Sequence, residues 1–161
     1  MSAATFWKFD IRDRFTPLRT TLLGWIGSKA GKRNQFCQVT AAGFIDQAAA
    51  AGAVVATVRV GVLQNDIASS IAQASEEALR VGYRPIRETT TITLPLITSG
   101  TSFAAFVAPT GANVEDLVGL ARMTDGNYAW DTTGTDYGKV VSVDTVRGLV
   151  TCTVLEAKRL A

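Results

Sequence analysis

Histidine is absent from this 161-residue chain, and that removes the commonest general base, proton shuttle and metal ligand in one step. Hydrolases built on a histidine-containing triad drop out, as do most zinc enzymes. Cysteine is scarce: Cys37 and Cys152 each sit in a strand-like run, and their spacing fits neither a C-x-x-C redox pair nor a zinc site. Buried free thiols are the simpler reading, since a disulfide would need Cα atoms within roughly 7 Å of each other. Charge is also sparse, at 19% of residues against 47% hydrophobic, with many small side chains between. Such a composition leaves apolar area on the surface for a partner to cover, which favours an oligomer or assembly component. No apolar run reaches the roughly 18 residues of a membrane-spanning helix, and Met1–Thr5 lacks the basic flank and apolar stretch of a secretory signal. The expectation is a chain that is intracellular when made.

What charge there is lies unevenly. The net is +2, yet residues 1–33 carry Lys8, Arg12, Arg14, Arg19, Lys29, Lys32 and Arg33 against only Asp10 and Asp13. The remainder is therefore net acidic. An arm of one sign on a body of the other suits head-to-tail docking between copies, or docking on an acidic lattice. The same basic residues alternate with Phe6, Trp7, Phe9, Phe15 and Trp25, so nucleic acid is a competing partner for the arm. Interspersed acids and prolines, and the lack of a DNA- or RNA-binding motif, count against it.

Residues 1–33 hold neither helical nor strand periodicity and read as an extended basic and aromatic arm. Its large rings bury either against another surface or against this domain's own core, each contributing about 1.5–3 kcal/mol if fully covered. From residue 34 a β-rich domain begins. Phe36 to Val39, a turn at Ala42-Gly43 and Phe44-Ile45-Asp46 spell a hairpin, and Val54–Val60 is the strongest β-branched run of the first half. The alanines between Gln47 and Gly52 allow either one helical turn or a loose crossing. After Asn65-Asp66, Ile67, Ile71, Ala74 and Ala78 recur at helical spacing, predicting a short amphipathic helix that ends near Gly82.

Strand character resumes at Thr89–Leu94, where Pro95 predicts an edge strand or the end of pairing. Phe103 to Val107 reads as a short strand closed by the turn Pro109-Thr110-Gly111. Asn113–Asp116 could cap a helix through Met123, but Asp125-Gly126 between Leu120–Met123 and Tyr128–Trp130 spells a hairpin, the favoured reading. Gly138–Val143 and Leu149–Leu155 are the last strands, with Arg147-Gly148 at the turn. No fixed-period repeat emerges, which argues against a solenoid or propeller. The fold class is thus mainly β: a small β-barrel or β-sandwich with one short helix and an extended N-terminal arm.

Candidate chemistry is thin. Glu76-Glu77 and Glu115-Asp116 are adjacent pairs whose side chains diverge, fitting a solvated face and a turn. Asp125, Asp131, Asp136 and Asp144 lack the ligand spacing of an EF-hand loop. Gly24–Lys32 is rich in glycine and lysine but lacks the four-residue gap and Gly-Lys-Ser/Thr ending of a phosphate loop. The expectation is a protein without catalytic residues, metal or cofactor.

The segment Gly61-Val62-Leu63-Gln64-Asn65 reads physically as a tight glycine turn, two inward apolar residues and two side chains that satisfy nearby backbone. Preceded by Gln35–Asp46 and followed late in the chain by Val150–Ala157, it resembles the capsid cement, or head decoration, proteins of tailed bacteriophages. The long N-terminus and the stretch between Asn65 and Thr98 depart from that pattern. The resemblance implies a structural virion protein, made in the bacterial cytoplasm and added to the outside of the head. There it would bridge and stabilise major capsid protein subunits, as a homo-oligomer, dimer or trimer, with no membrane partner, no enzymatic activity and no cofactor. A head-completion or tail component is the alternative within the same class. The residues expected at the capsid or inter-subunit contact are Phe6, Trp7, Phe9, Arg12, Arg14, Phe15, Arg19 and Trp25.

Overall fold

The computed structural model describes residues 10–12, 21–24, 31–41, 43, 45–56, 58–64, 66–67, 80–102 and 106–160. Within them lie twelve strands: β1 (Asp10–Arg12), β2 (Thr21–Gly24), β3 (Phe36–Val39), β4 (Ile45–Gln47), β5 (Ala53–Val55), β6 (Gly61–Leu63), β7 (Arg80–Arg84), β8 (Thr91–Ile97), β9 (Leu117–Arg122), β10 (Tyr128–Asp131), β11 (Gly138–Asp144) and β12 (Leu149–Val154). The fold is mainly β, as expected. Helix among the described residues is limited to 3-10 turns at Pro109–Gly111 and Glu156–Lys158, and none is long and apolar enough to cross a membrane.

A seven-stranded sheet runs β1-β8-β10-β9-β11-β12, with β5 added beside β9, and it curls until β12 meets β8 again. A five-stranded sheet, β2-β7-β6-β3-β4, lies beside it. The curl follows from local chemistry. Ile92 and Leu94 of β8 alternate inward while Thr91 and Thr93 are only half-buried, and Thr93 and Thr151 share an Oγ1···Oγ1 hydrogen bond of 2.7 Å across the β8–β12 ladder. Pro95 does not end this strand. β8 pairs β12 up to Pro95 opposite Leu149, then pairs β10 in parallel through Leu96 and Ile97. The proline, which has no N–H to give a ladder, stands where the strand exchanges one partner for another.

The barrel-like core centres on Trp130, Tyr128 and Tyr137, with Ile92, Leu94, Leu120, Val140 and Val150 around them. Close backbone approaches make room for the rings: a Cβ on Gly138 would come within 2.9 Å of Trp130, and one on Gly134 within 2.7 Å of the Gly119 Cα. A second, smaller core of Cys37, Ile45, Leu63, Ile67, Val81 and Tyr83 backs the five-stranded sheet. Two tyrosine hydroxyls reach from the larger core to backbone carbonyls earlier in the chain, Tyr128 donating to Phe36 O at 3.0 Å and Tyr137 to Val58 O at 2.6 Å.

Several local expectations hold. The Gln35–Asp46 hairpin is β3 and β4, turning through Gly43 at φ 87°. Asp125-Gly126 joins β9 to β10, and Gly148 at φ 71° helps to join β11 to β12. Others are corrected. Val54–Val60 is not one core strand, because β5 stops at Val55 and Val60 bridges Arg159 instead. Gly61 makes no turn; it lies within β6 opposite Cys37, and its bare Cα admits the Tyr83 ring, which a Cβ would meet at 2.9 Å. Val62 and Leu63 do pack inward, and Gln64 takes its place through its own N–H, donated to Gly82 O. The segment expected to finish a helix at Gly82 is instead β7, which pairs β2 and β6. Residues 68–79, where the rest of that helix was expected, lie outside the described residues. Of Phe103–Val107, residues 103–105 also lie outside, and Phe106 forms a single bridge to Ile97. Parts of the presumed arm are paired within this chain: β1 lies against β8 and β2 against β7.

Candidate interaction site

Of the expected contact residues, Arg12 alone falls among the described residues, where its backbone pairs with Thr91 at the edge of the larger sheet. Phe6, Trp7, Phe9, Arg14, Phe15, Arg19 and Trp25 lie outside them. Lys32 and Arg33, read as the end of the basic arm, form the rim of a cavity of about 100 Å³. Its lining is completed by Asn34, Gln35, Leu94, Asn127 and Tyr128.

Two turns make the walls of this cavity. On one side, residues 32–35 reverse the chain before β3, with Asn34 in the left-handed region at φ 72°. Asparagine tolerates that conformation better than most residues because its short polar side chain can bond locally. On the other side is the β9–β10 turn, held by Met123 N–H to Asn127 O at 2.7 Å and Gly126 N–H to Met123 O at 2.9 Å. The Gln35 amide donates to Gly126 O at 3.2 Å and so ties the walls together.

Behind the second wall, Arg122 is buried at 7% exposure. Its Nε donates to Gly126 O at 3.0 Å, and one terminal nitrogen donates to Gln47 Oε1 at 2.8 Å and Ala49 O at 2.9 Å. The guanidinium carbon sits 5.7 Å from the centre of the Tyr128 ring, and Phe36 meets that ring edge-on at 5.0 Å. Among the described residues no carboxylate lies within ion-pair distance of Arg122. Its hydrogen-bond acceptors are neutral oxygens, which satisfy the buried guanidinium without an ion pair. Sequence reading passed over Arg122; the signal was a lone arginine inside the apolar run Leu117–Met123, since arginine is rarely buried without a purpose.

The aspartates once weighed as metal ligands are dispersed. Asp125 bonds Asn127, Asp131 bonds Thr133, Asp144 bonds the backbone of Val146 and Arg147, and Asp136 pairs with Lys158 at 3.3 Å. No three histidine, cysteine or acidic side chains gather as a metal site would need among the described residues. Asp116 accepts the Asn113 N–H in a turn, and Glu115 pairs with Lys139, as the solvated-turn reading expected. Glu76 and Glu77 lie outside the described residues. Cys37 and Cys152 are free, buried and in different cores. Burial pushes the Cys37 thiol up to about 12 and raises Cys152 as well, which makes both poor nucleophiles.

Large apolar side chains also remain on the outside. Val54, Val114, Leu117, Val141 and Val146 are exposed, all on the larger sheet or its loops. Val141 is the extra residue of a bulge between Val140 and Ser142, which turns it away from the core. No family model, curated protein or solved structure matches the chain.

Proposed function

We propose that this protein is a structural component of a tailed-phage virion, a capsid cement or decoration protein that sits on the outside of the head. It bridges major capsid protein subunits and stabilises them, together with neighbouring copies of itself. The observation that carries this reading is the set of outward apolar residues on a β frame that packing makes rigid. Leu117 is opposite Lys139 in the β9–β11 ladder, Val114 and Val141 lie past the same end of that ladder, and Val146 is 95% exposed at the β11–β12 turn. Exposed valines held by strands present a fixed shape with little side-chain entropy to lose on docking. A few such contacts per copy are weak, but repetition over a closed lattice multiplies them through effective concentration.

Two of the three segments that carry the family resemblance support the same reading in one respect, while the third, Val150–Ala157, runs through β12 of the larger sheet. β3, β4 and β6 lie side by side in the smaller sheet, so the hairpin and the Gly61–Leu63 segment form one contiguous unit. The test is co-sedimentation of the purified full-length chain with undecorated phage heads in moderate salt. Saturable binding with a fixed number of copies per head is expected. A protein that stays in the supernatant at every concentration overturns the proposal.

A further inference from the structure

We infer that the cavity between residues 32–35 and the β9–β10 turn is a binding site for the carboxylate of a glutamate or aspartate side chain presented by a protein partner. The argument begins with charge. Lys32 and Arg33 are exposed at the rim, and among the described residues neither is in an ion pair. Asp66 and Asp125, the acids bonded within the two walls, do not line the cavity and form no ion pair with Lys32 or Arg33. Asp66 Oδ1 accepts the Arg33 backbone N–H at 2.9 Å, and both oxygens of Asp125 are taken by Asn127, at 3.0 and 2.8 Å. Arg122, outside the lining, packs on the Tyr128 ring that belongs to it. The lining therefore offers Lys32 and Arg33, and no acidic side chain, to whatever enters.

The choice of anion follows from the donors. Phosphate-binding loops cradle their ligand with free backbone N–H groups. Here the turn has spent them: Lys32 N–H on Gln35 Oε1, Arg33 N–H on Asp66, Asn34 N–H on Leu63 O and Gln35 N–H on Lys32 O. What remains is side-chain charge above an apolar floor of Leu94 and Tyr128. A flat carboxylate on a short aliphatic stem matches that arrangement, its oxygens at Lys32 and Arg33 and its methylenes on Leu94 and Tyr128. A volume of about 100 Å³ is several times what one water occupies and suits one such side chain. The Gln35 to Gly126 and Tyr128 to Phe36 bonds hold the walls before anything binds.

This inference does not depend on the capsid reading, and its test uses the full-length protein without heads. Backbone and side-chain amide signals would be followed by ¹H–¹⁵N NMR while propionate, the glutamate side chain as a free acid, is added at constant ionic strength. Propionamide and inorganic phosphate serve as the comparison probes. Saturable shifts at Arg33, Asn34, Gln35 and Asn127 are expected, with a dissociation constant in the millimolar range fitting so few contacts. The double variant Lys32→Ala, Arg33→Ala should weaken binding about fivefold or more. Both side chains are exposed and their backbone bonds survive truncation, so the melting temperature should not move. An absence of saturable shifts, an equal response to propionamide, tighter binding of phosphate, or undiminished binding in the double variant each overturns the assignment.

Discussion

Arg122 shows how much one side chain can hold together. Its guanidinium serves three carbonyl-type acceptors on two separate stretches of chain, Gln47 and Ala49 at the end of β4 and just beyond it, and Gly126 in the β9–β10 turn. Truncation would remove the Arg122 donor from the Ala49 carbonyl, while Gly126 O keeps the Gln35 amide, and an orphaned buried group costs about 1–3 kcal/mol. Arg122→Ala should therefore lower unfolding free energy by about 1–3 kcal/mol in urea titrations, and Arg122→Met, which refills volume without donors, should rescue only part of it. A loss below about 1 kcal/mol would mean water replaces the guanidinium freely. The buried thiols make a second prediction. With the Cys37 pKa raised from 9.0 to about 12, the folded state keeps a proton that the unfolded chain sheds above pH 9. Its contribution is intact below that pH and is lost as pH rises from 9 towards 12, at up to about 1.4 kcal/mol per pH unit. Cys152 and Tyr128 are shifted in the same direction by burial. Denaturation midpoints should fall from pH 9 to pH 11, less steeply in Cys37→Ala, and a flat profile would contradict the burial.

The β11–β12 hairpin is the element whose chemistry is most open to direct test. Asp144 Oδ1 accepts the N–H groups of Val146 and Arg147, and Gly148 follows in the left-handed region. Gly148→Ala should cost about 1 kcal/mol because nothing but glycine enters that region freely, although no atom stands where the new Cβ would go. Asp144→Ala should cost a similar amount, and equal thermal melts for either variant and the parent would contradict the turn. Turn residues flanked by alternating threonines and valines also explain why this hairpin, like β3–β4 and β9–β10, is legible in the sequence. The information is local. Val54–Val60 misleads because a β-branched run looks alike whether it forms one strand or is split between two pairings, here β5 on β9 and Val60 beside Arg159. Arg80–Arg84 misleads because Gly82 resembles a helix stop, while the partners that make it a strand, Leu22 and Leu63, come from distant segments. The cavity was illegible for the same reason. Its lining comes from three separate stretches of chain, and only two of its members, Lys32 and Arg33, stood out beforehand, as charges rather than as a site.

At the scale of the whole molecule, the basic N-terminal segment is anchored to both sheets, through β1 on β8 and β2 on β7. Removal of residues 1–33 would strip an outer strand from each sheet and expose ladder groups of β8 and β7. A cleaner probe of docking removes residues 1–9 alone, which takes Phe6, Trp7, Lys8 and Phe9 but leaves β1. That truncation should leave the melting temperature within a few degrees of the parent and reduce occupancy on phage heads at least tenfold, because avidity compounds each lost contact across the lattice. Undiminished occupancy would remove the aromatic segment from the docking surface and leave the exposed valines as the contact.

The hydrogen bond from Tyr137 to Val58 and the parallel bridge from Arg159 to Val60 join parts of the chain that are made far apart in time. So does the meeting of β12 with β8. Each such contact requires a long loop to close before any energy is returned, and chains dominated by non-local strand pairing fold in milliseconds to seconds rather than microseconds. During synthesis, β5 and β8 must wait, with open edges, for partners not yet emerged from the ribosome. Newly made chains therefore pass through a window in which they are vulnerable to aggregation and proteolysis, and that window closes only with the pairing of the C-terminal strands.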